Sequence, residues 1–406
     1  MLLSSLAKSG FHRFLSIVCL LKVLPYEWDP KGPKLKPVKP FGLFIFHLHT
    51  CLTFIVCPIT IYRVTCAYMG DASVLMKVYG VFASACHAMT ALGFGQLALR
   101  KSKIMGFCNR VLFNLEKDAP TSKNGQLENV SNYQKHTKSM TRHMLIGLVM
   151  LTVNIPVHLL LTIPSSDNLF LICTPLFLGS LFMECRDHSL LVLFPFILWE
   201  FYTLTKFLLM NCFYCSFLMV GLGLIDFQLQ SLQNDNFKIN TTAQTTRLVK
   251  YRGIQILTQI LNDSFWIYLS FFTHILFFIL SILLFGTIRL IRIDPRQSLM
   301  FPMCGFRCGY EVFSPILYAG QVDASSGNLL SEFEETVTGM ALRKRGGGGW
   351  KEHKVLDRMR KSCVNIRCTA GNFFMFENFV AISSLHGVVE TTFDLLVTFK
   401  EDQIEQ

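Results

Sequence analysis

Long runs of apolar residues recur along the whole chain and constrain its fold more than any other feature. About 20 helical residues cross the roughly 30 Å hydrocarbon core of a bilayer. Seven segments are long enough to do so: Phe41–Tyr62, Val74–Leu99, Met144–Ile163, Leu190–Ile225, Phe265–Ile288, Leu299–Gln321 and Asn372–Phe399. Hydrophobic residues make up 51% of the chain, whereas charged residues make up 16%. Because lipid satisfies no backbone polar group, these segments predict an all-α membrane protein with seven transmembrane helices.

The basic residues lie between the apolar segments and indicate the orientation of the chain. Most of the 38 lysines and arginines fall in four segments, 1–40, 100–142, 226–263 and 322–371. The positive-inside rule places these segments in the cytoplasm. We therefore predict a multi-pass protein with a cytoplasmic N-terminus and an extracellular C-terminus, inverted relative to G-protein-coupled receptors. With this distribution, the net charge of +11 indicates contact with anionic lipid and not with nucleic acid.

The same pattern divides the chain into four regions. Residues 1–40 form a cytoplasmic segment, in which Phe14–Leu24 is too short to span the bilayer and predicts an interfacial amphipathic helix. Residues 41–321 hold the first six spans and their loops. Residues 322–371 are expected to form a basic, glycine-containing cytoplasmic loop, and residues 372–406 hold the seventh span and a short external tail.

The last apolar segment carries two acidic residues at helical spacing. Glu390 and Asp394 lie one turn apart, and Val397 continues the same stripe. A carboxylate inside a lipid-spanning helix is costly unless it meets water or a partner. If several copies surround one axis, the stripe predicts acidic rings beside an apolar constriction, which favours cations. Val389 and Phe393 lie on an adjoining face, so either face is a candidate gate of the pore.

A second interpretation of the two acids remains open at this stage. Glu390 and Asp394 are also able to pair with basic side chains of the same chain, for example Lys206 or Arg307. Arg307 itself stands four residues before Glu311 in the sixth span. This spacing lets the two side chains pair on one face, so the sixth span is expected to face protein and not lipid.

Aromatic and histidine side chains in the membrane segments are candidate ligand contacts. Small-molecule pockets combine apolar area with a few polar groups, and the candidates that offer both are Tyr79, His158, Trp199, Tyr202 and Tyr310. The alternative for each of them is ordinary packing between helices. The sequence contains no recognisable enzyme signature, and we predict neither a cofactor nor a metal site.

The final helix resembles that of the insect gustatory and odorant receptors. In the gustatory branch this helix reads Thr-Tyr, five apolar residues, Gln-Phe. Here the same spacing runs from Thr391 to Phe399, with Thr392 in place of Tyr, Thr398 in place of Gln, and Asp394 among the five apolar positions. Further patches typical of these receptors are Phe107-Cys108-Asn109, Tyr251–Leu257 with Asn262, and Arg367 followed by Gly371 and Asn372.

This resemblance implies a seven-span chemoreceptor that acts as a ligand-gated, non-selective cation channel of the plasma membrane. It implies four subunits, identical or related, around a central pore lined by the seventh span. Each subunit would bind a small-molecule tastant or odorant in the outer half of the bilayer. Two other classes remain open: a secondary transporter, which predicts internal repeats, and a metabotropic seven-span receptor, which the predicted orientation disfavours.

Overall fold

A computed structural model describes residues 5–70, 74–116, 190–234, 241–292, 298–343, 350–370 and 374–399 and scattered positions between 138 and 153. Nine helices account for most of the residues in the continuous ranges. Within these ranges the helices are α1 Ser5–Leu20, α2 Pro40–Met69, α3 Val74–Glu116, α4 Leu190–Asn234, α5 Thr241–Ile267, α6 Thr273–Arg289, α7 Met300–Arg343, α8 Trp350–Lys361 and α9 Asn378–Thr398. A π-helical turn, Tyr268–Phe272, joins α5 to α6, and a 3-10 turn, Leu290–Arg292, follows α6.

Five stretches of the described chain are long and apolar enough to cross a membrane. They are Pro40–Cys66, Lys77–Leu115, Phe201–Gln233, Thr242–Arg289 and Phe379–Thr398. These stretches overlap the first, second, fourth, fifth and seventh predicted spans. The third predicted span, Met144–Ile163, lies mostly outside the described residues. The sixth lies in the continuous helix α7 but is not among the five, and it carries the charged pair Arg307 and Glu311.

The segment 322–371, which we expected to be a loop, is largely helical. α7 continues without a break to Arg343, and α8 follows. Along this part of α7 the buried positions recur every three or four residues, which is the helical period; they are Val322, Ser326, Leu329, Phe333, Val337 and Met340. Glu334 and Glu335, which lie between these positions, are exposed, as expected of an amphipathic helix.

The N-terminal helix packs on the bundle along one face. The ring of Phe11 lies 5.2 Å from that of Phe217 on α4, measured between centroids. The sequence predicts a helix over Phe14–Leu24, whereas α1 begins at Ser5 and ends at Leu20. The difference arises because Phe11 extends the buried stripe toward the N-terminus. Ile17 and Leu20 remain exposed on the opposite face, which suits an interfacial location.

An antiparallel pair of strands, β1 Tyr26–Asp29 and β2 Lys34–Pro37, connects α1 to α2. Lys36 Nζ lies 2.6 Å from the Asp29 carboxylate. This interaction holds the pKa of Asp29 below its usual value.

Asn109 of α3 connects the β1–β2 hairpin to the helix bundle by hydrogen bonds. Its side chain accepts a hydrogen bond from the Leu35 N–H at 2.7 Å and donates one to the Leu35 carbonyl at 2.9 Å. The Tyr26 hydroxyl donates to the Lys101 carbonyl of the same helix at 2.7 Å. The family-like patch around Asn109 therefore has a structural role, because one amide satisfies both backbone groups of an edge residue.

Gln96 of α3 supports the irregular junction between α5 and α6. The backbone is non-helical at Phe265, and the π-helical turn follows it. Gln96 Oε1 accepts from the Tyr268 N–H at 2.8 Å, and Gln96 Nε2 donates to the Ser264 carbonyl at 2.5 Å. A break in a helix inside lipid frees backbone groups that need such partners. The junction is therefore fixed by a neighbouring helix and is not a loose hinge.

Candidate pore helix and ligand site

The seventh apolar segment begins with a short strand and continues as a helix. β3 Thr369–Ala370 and β4 Phe374–Met375 pair in antiparallel fashion, and α9 starts at Asn378. The helix therefore covers only part of the predicted span Asn372–Phe399. The preceding piece is extended and not helical.

α9 is attached to α6 along a single stripe of buried residues. Ala381, Val388 and Thr392 are buried. The Thr392 hydroxyl donates to the Val388 carbonyl of its own helix at 2.7 Å and lies 3.4 Å from the Ser281 carbonyl oxygen of α6. The Ser281 hydroxyl also lies 3.4 Å from the Val388 carbonyl oxygen. Arg289 Nη2 donates to the Leu396 carbonyl at 3.0 Å. Small hydroxyl residues that bond across two helices are common where helices pack in membranes.

The proposed pore residues lie on the part of α9 that faces away from this stripe. Glu390 stands nine residues after the buried Ala381, which is about 180° around the helix. The Glu390 side chain is 68% exposed in the single chain. The remaining pore candidates, Val389, Phe393, Asp394 and Val397, are exposed as well. The structure thus brings all five onto a surface that no other described part of the same chain covers.

The acids do not pair with either of the two cations considered above. Arg307 binds Glu311, its neighbour at i+4, and Lys206 lies over the ring of Tyr202. The intrachain pairing with Lys206 or Arg307 is therefore wrong. Within the described ranges, Glu390 Oε2 lies 3.7 Å from Nδ1 of His386, one turn earlier in α9.

Two of the ligand candidates, Trp199 and Tyr202 on α4, meet around His49 of α2. The ring centroid of His49 lies 5.7 Å from that of Tyr202 and 6.2 Å from that of Trp199. Lys206, one turn along α4, places its Nζ 4.3 Å from the centre of the Tyr202 ring. We call His49, Trp199, Tyr202, Thr203 and Lys206 the lysine cluster.

The other ligand candidates lie elsewhere. Tyr310 borders a small cavity with the Arg307–Glu311 pair, and Tyr79 packs on Phe301 with ring centroids 5.1 Å apart. His158 lies outside the described residues. The structure therefore distributes the four described candidates over more than one place and does not gather them in one pocket.

A buried polar chain connects α4, α5–α6 and α7. Arg307 Nε donates to Glu311 Oε1 at 2.7 Å, which confirms the pairing expected from their spacing. Glu311 Oε2 also accepts from the Asn211 amide, and the Tyr268 hydroxyl donates to Asn211 Oδ1 at 3.3 Å. Each charge in this chain is satisfied by a neighbour, so we interpret it as a structural network.

No sequence pattern singles out His49 or Asn211, and the sequence presents Lys206 only as a candidate partner for the acids. Lys206 carried a usable signal, because a lysine inside a long apolar run is unusual. Neither His49 nor Asn211 has a local signal of this kind. Their importance follows from contacts with residues more than 50 positions away along the chain.

Solved structures of other proteins match this chain over nearly its whole length. The insect olfactory receptor OR5 from Machilis hrabei, in complex with eugenol, superimposes with a TM-score of 0.65 over 96% of this chain and 98% of that one, at 11% sequence identity. A second structure of that receptor gives a TM-score of 0.61 over 97% and 98% of the two chains, at 12% identity. The chain has the fold of an insect olfactory receptor.

The olfactory-receptor fold confirms the family resemblance of the sequence at the level of architecture. It also agrees with a multi-pass helical membrane protein, which the apolar stretches indicate independently. No protein-family model and no curated protein matches the sequence. At this level of identity individual side chains have diverged, so the chemistry of the site must be argued from the residues of this chain.

Proposed function

We propose that the chain is a chemosensory receptor of the plasma membrane that acts as a ligand-gated, non-selective cation channel. In this proposal it has seven spans, a cytoplasmic N-terminus and an extracellular C-terminus. Four copies, identical or mixed with related receptors, surround a pore lined by α9. A small organic ligand binds in the outer half of each helix bundle. The eugenol complex of the Machilis hrabei receptor, which shares the fold, supports a ligand of this size.

One observation carries the pore assignment: the acidic stripe of α9 lies opposite its packed face. An acidic residue that faces hydrocarbon near the bilayer centre costs about 3 kcal/mol or more. Two of them on each copy, Glu390 and Asp394, would therefore oppose insertion of this helix if its exposed side met lipid. A water-filled axis shared by several copies removes most of that cost, because both carboxylates stay hydrated.

The apolar residues on the exposed side of α9 supply the gate in this proposal. Val389, Phe393 and Val397 are each more than half exposed in the single chain. Brought together around an axis, they would form a constriction that excludes water when the pore is closed. Glu390 lies deeper in the helix than Asp394, so the two carboxylate rings would stand on different levels of the same pathway.

Electrical recording with ion replacement tests the proposal. Cells that express the chain are recorded with a broad panel of volatile and taste compounds, first for the wild type and then for Glu390→Gln and Asp394→Asn. We expect each neutral variant to change rectification and to lower the permeability to divalent relative to monovalent cations, because ring charge concentrates cations.

Glu335→Gln is the matched control for these recordings. Glu335 is exposed on the part of α7 beyond the predicted sixth span. Its substitution removes the same charge at a site that the pore does not include. Unchanged permeability and rectification in both α9 variants would remove the pore assignment.

A further inference from the structure

Lys206 of the lysine cluster is a buried lysine, 1% exposed. Among the residues that the structure describes, its Nζ has neither a counter-ion nor a hydrogen-bond partner. Within the described ranges, its contact is with the face of the Tyr202 ring, 4.3 Å from the centroid. A cation over an aromatic ring gains far less than burial of an unpaired charge costs.

Two more polar atoms of the cluster are also buried without a hydrogen bond. They are Nε2 of His49 and Oγ1 of Thr203. The other ring nitrogen of His49, Nδ1, is 3.4 Å from the Thr53 hydroxyl. Buried polar groups in folded proteins are nearly always satisfied. Three unsatisfied groups, of His49 on α2 and of Thr203 and Lys206 on α4, therefore indicate a site for a further hydrogen-bonding partner.

The surroundings of these polar groups are aromatic. Trp199 and Tyr202 are half-buried, and the ring of Phe94 on α3 lies 5.1 Å from that of His49. Aromatic walls with a few converging polar groups are typical of sites for small organic molecules. Because Trp199 and Tyr202 keep part of their surface exposed, a ligand is able to approach along α4 without passing through the packed core.

We propose that the lysine cluster binds the carboxylate of an amphiphilic organic acid, with the acid's apolar body against the aromatic walls. The proposal rests on the proposed chemoreceptor function and names the class of its ligand. The Lys206 ammonium pairs with the carboxylate, and His49 and Thr203 complete the hydrogen bonds. Cationic amines are excluded by the same charge, and small inorganic anions leave the aromatic walls uncovered.

A binding assay on the purified full chain in detergent tests this inference without recording current. The probes are 3-phenylpropanoate and straight-chain acids of about six to ten carbons, each compared with its methyl ester and its amine, with acetate and chloride as small anions. In the wild type we expect at least one acid to bind about tenfold or more tightly than its ester and its amine.

Substitutions of Lys206 give the second part of the binding test. Lys206→Met should reduce the affinity for that acid about tenfold or more while the ester binds nearly as before. Lys206→Arg should keep part of the preference, because the charge remains. Lys354→Met, which removes an exposed lysine on α8, is the matched control and should change nothing. If Lys206→Met fails to fold, the wild-type comparison of acid with ester decides alone.

Three results would overturn the inference. They are an absence of acid preference over the whole panel, an acid preference that persists in Lys206→Met, and equal competition by acetate or chloride. These outcomes are separate from the channel proposal. Acid binding without any ligand-evoked current would reject the channel proposal and support the acid site at Lys206. A ligand-evoked cation current with no preference for acids would support the channel proposal and reject the acid site.

Discussion

Removal of one partner from the buried Arg307–Glu311 pair should destabilise the helix bundle strongly, and removal of both should not. The two residues are 5% and 8% exposed, and their closest atoms are 2.7 Å apart. Each side chain therefore depends on the other for charge compensation. Arg307→Met leaves the Glu311 carboxylate with the Asn211 amide as its partner among the described residues. The double variant Arg307→Met/Glu311→Met removes both charges.

The magnitude follows from the geometry of the pair. With charge centres about 4 Å apart and an effective dielectric constant of about 20, the attraction is about 4 kcal/mol. Breaking a buried pair by truncating one partner costs about 3–5 kcal/mol, because the remaining charge stays desolvated. Replacing both charges by apolar side chains is about neutral or even stabilising. A double-mutant cycle should therefore give a coupling energy of about 3 kcal/mol or more.

Thermal denaturation of the detergent-solubilised chain measures this difference. With a shift of about 1 °C per kcal/mol for a chain of this size, each single variant should melt about 3 °C or more below the wild type. The double variant should return close to the wild-type midpoint. Lys361→Met serves as control, because its pair with Asp357 is exposed on α8 and should contribute less than about 1 kcal/mol.

Additive losses in the double variant would refute this reasoning. They would mean that Arg307 and Glu311 stabilise the bundle through separate contacts and not as a pair. Single variants that melt with the wild type would show that the site is hydrated, since water would then compensate the remaining charge.

Two further predictions concern packing and orientation. Gly286→Ala should lower the free energy of unfolding by about 1–3 kcal/mol, because the added Cβ would lie 2.7 Å from ring carbons of Phe301. Gly106→Ala is its control in the same thermal assay, because a Cβ added at Gly106 meets no atom within 4 Å. An epitope tag should be stained on intact cells when it is at the C-terminus and not when it is at the N-terminus. Glycosidase treatment should leave the electrophoretic mobility of the chain unchanged. A sugar on either Asn129 or Asn240, both in predicted cytoplasmic segments, would mean that the predicted orientation must be inverted.

Local sequence patterns predicted the parts of the fold that depend on local physics. Hydropathy over about 20 residues located the apolar helices, because each transmembrane helix satisfies its own backbone. The pairing of Arg307 with Glu311 could be predicted for the same reason, since two residues at i and i+4 share a helix face whatever surrounds them. The helical period of the buried positions from Val322 to Met340 is also present in the sequence, although we expected a loop there.

The residues of the candidate sites required the tertiary structure. Which side of α9 packs on α6 depends on hydroxyl contacts such as that between Thr392 and Ser281, more than 100 residues apart. The sequence placed both acids on one stripe of the helix. It did not decide whether they pair with a basic residue of the same chain, because the helical period does not identify the neighbours of that stripe. Only the packing shows that Arg307 pairs with Glu311 and that Lys206 lies over the ring of Tyr202.

The sequence by itself determined a helical, multi-pass protein with an acid-bearing last helix, because hydropathy and helical period act within one segment. The tertiary structure alone decided that His49, Tyr202 and Lys206 meet, since α2 and α4 are far apart in the chain and their approach depends on the whole bundle. An unsatisfied cation is visible only when all of its neighbours are known. For this reason the class of ligand could be proposed only from the packed helices.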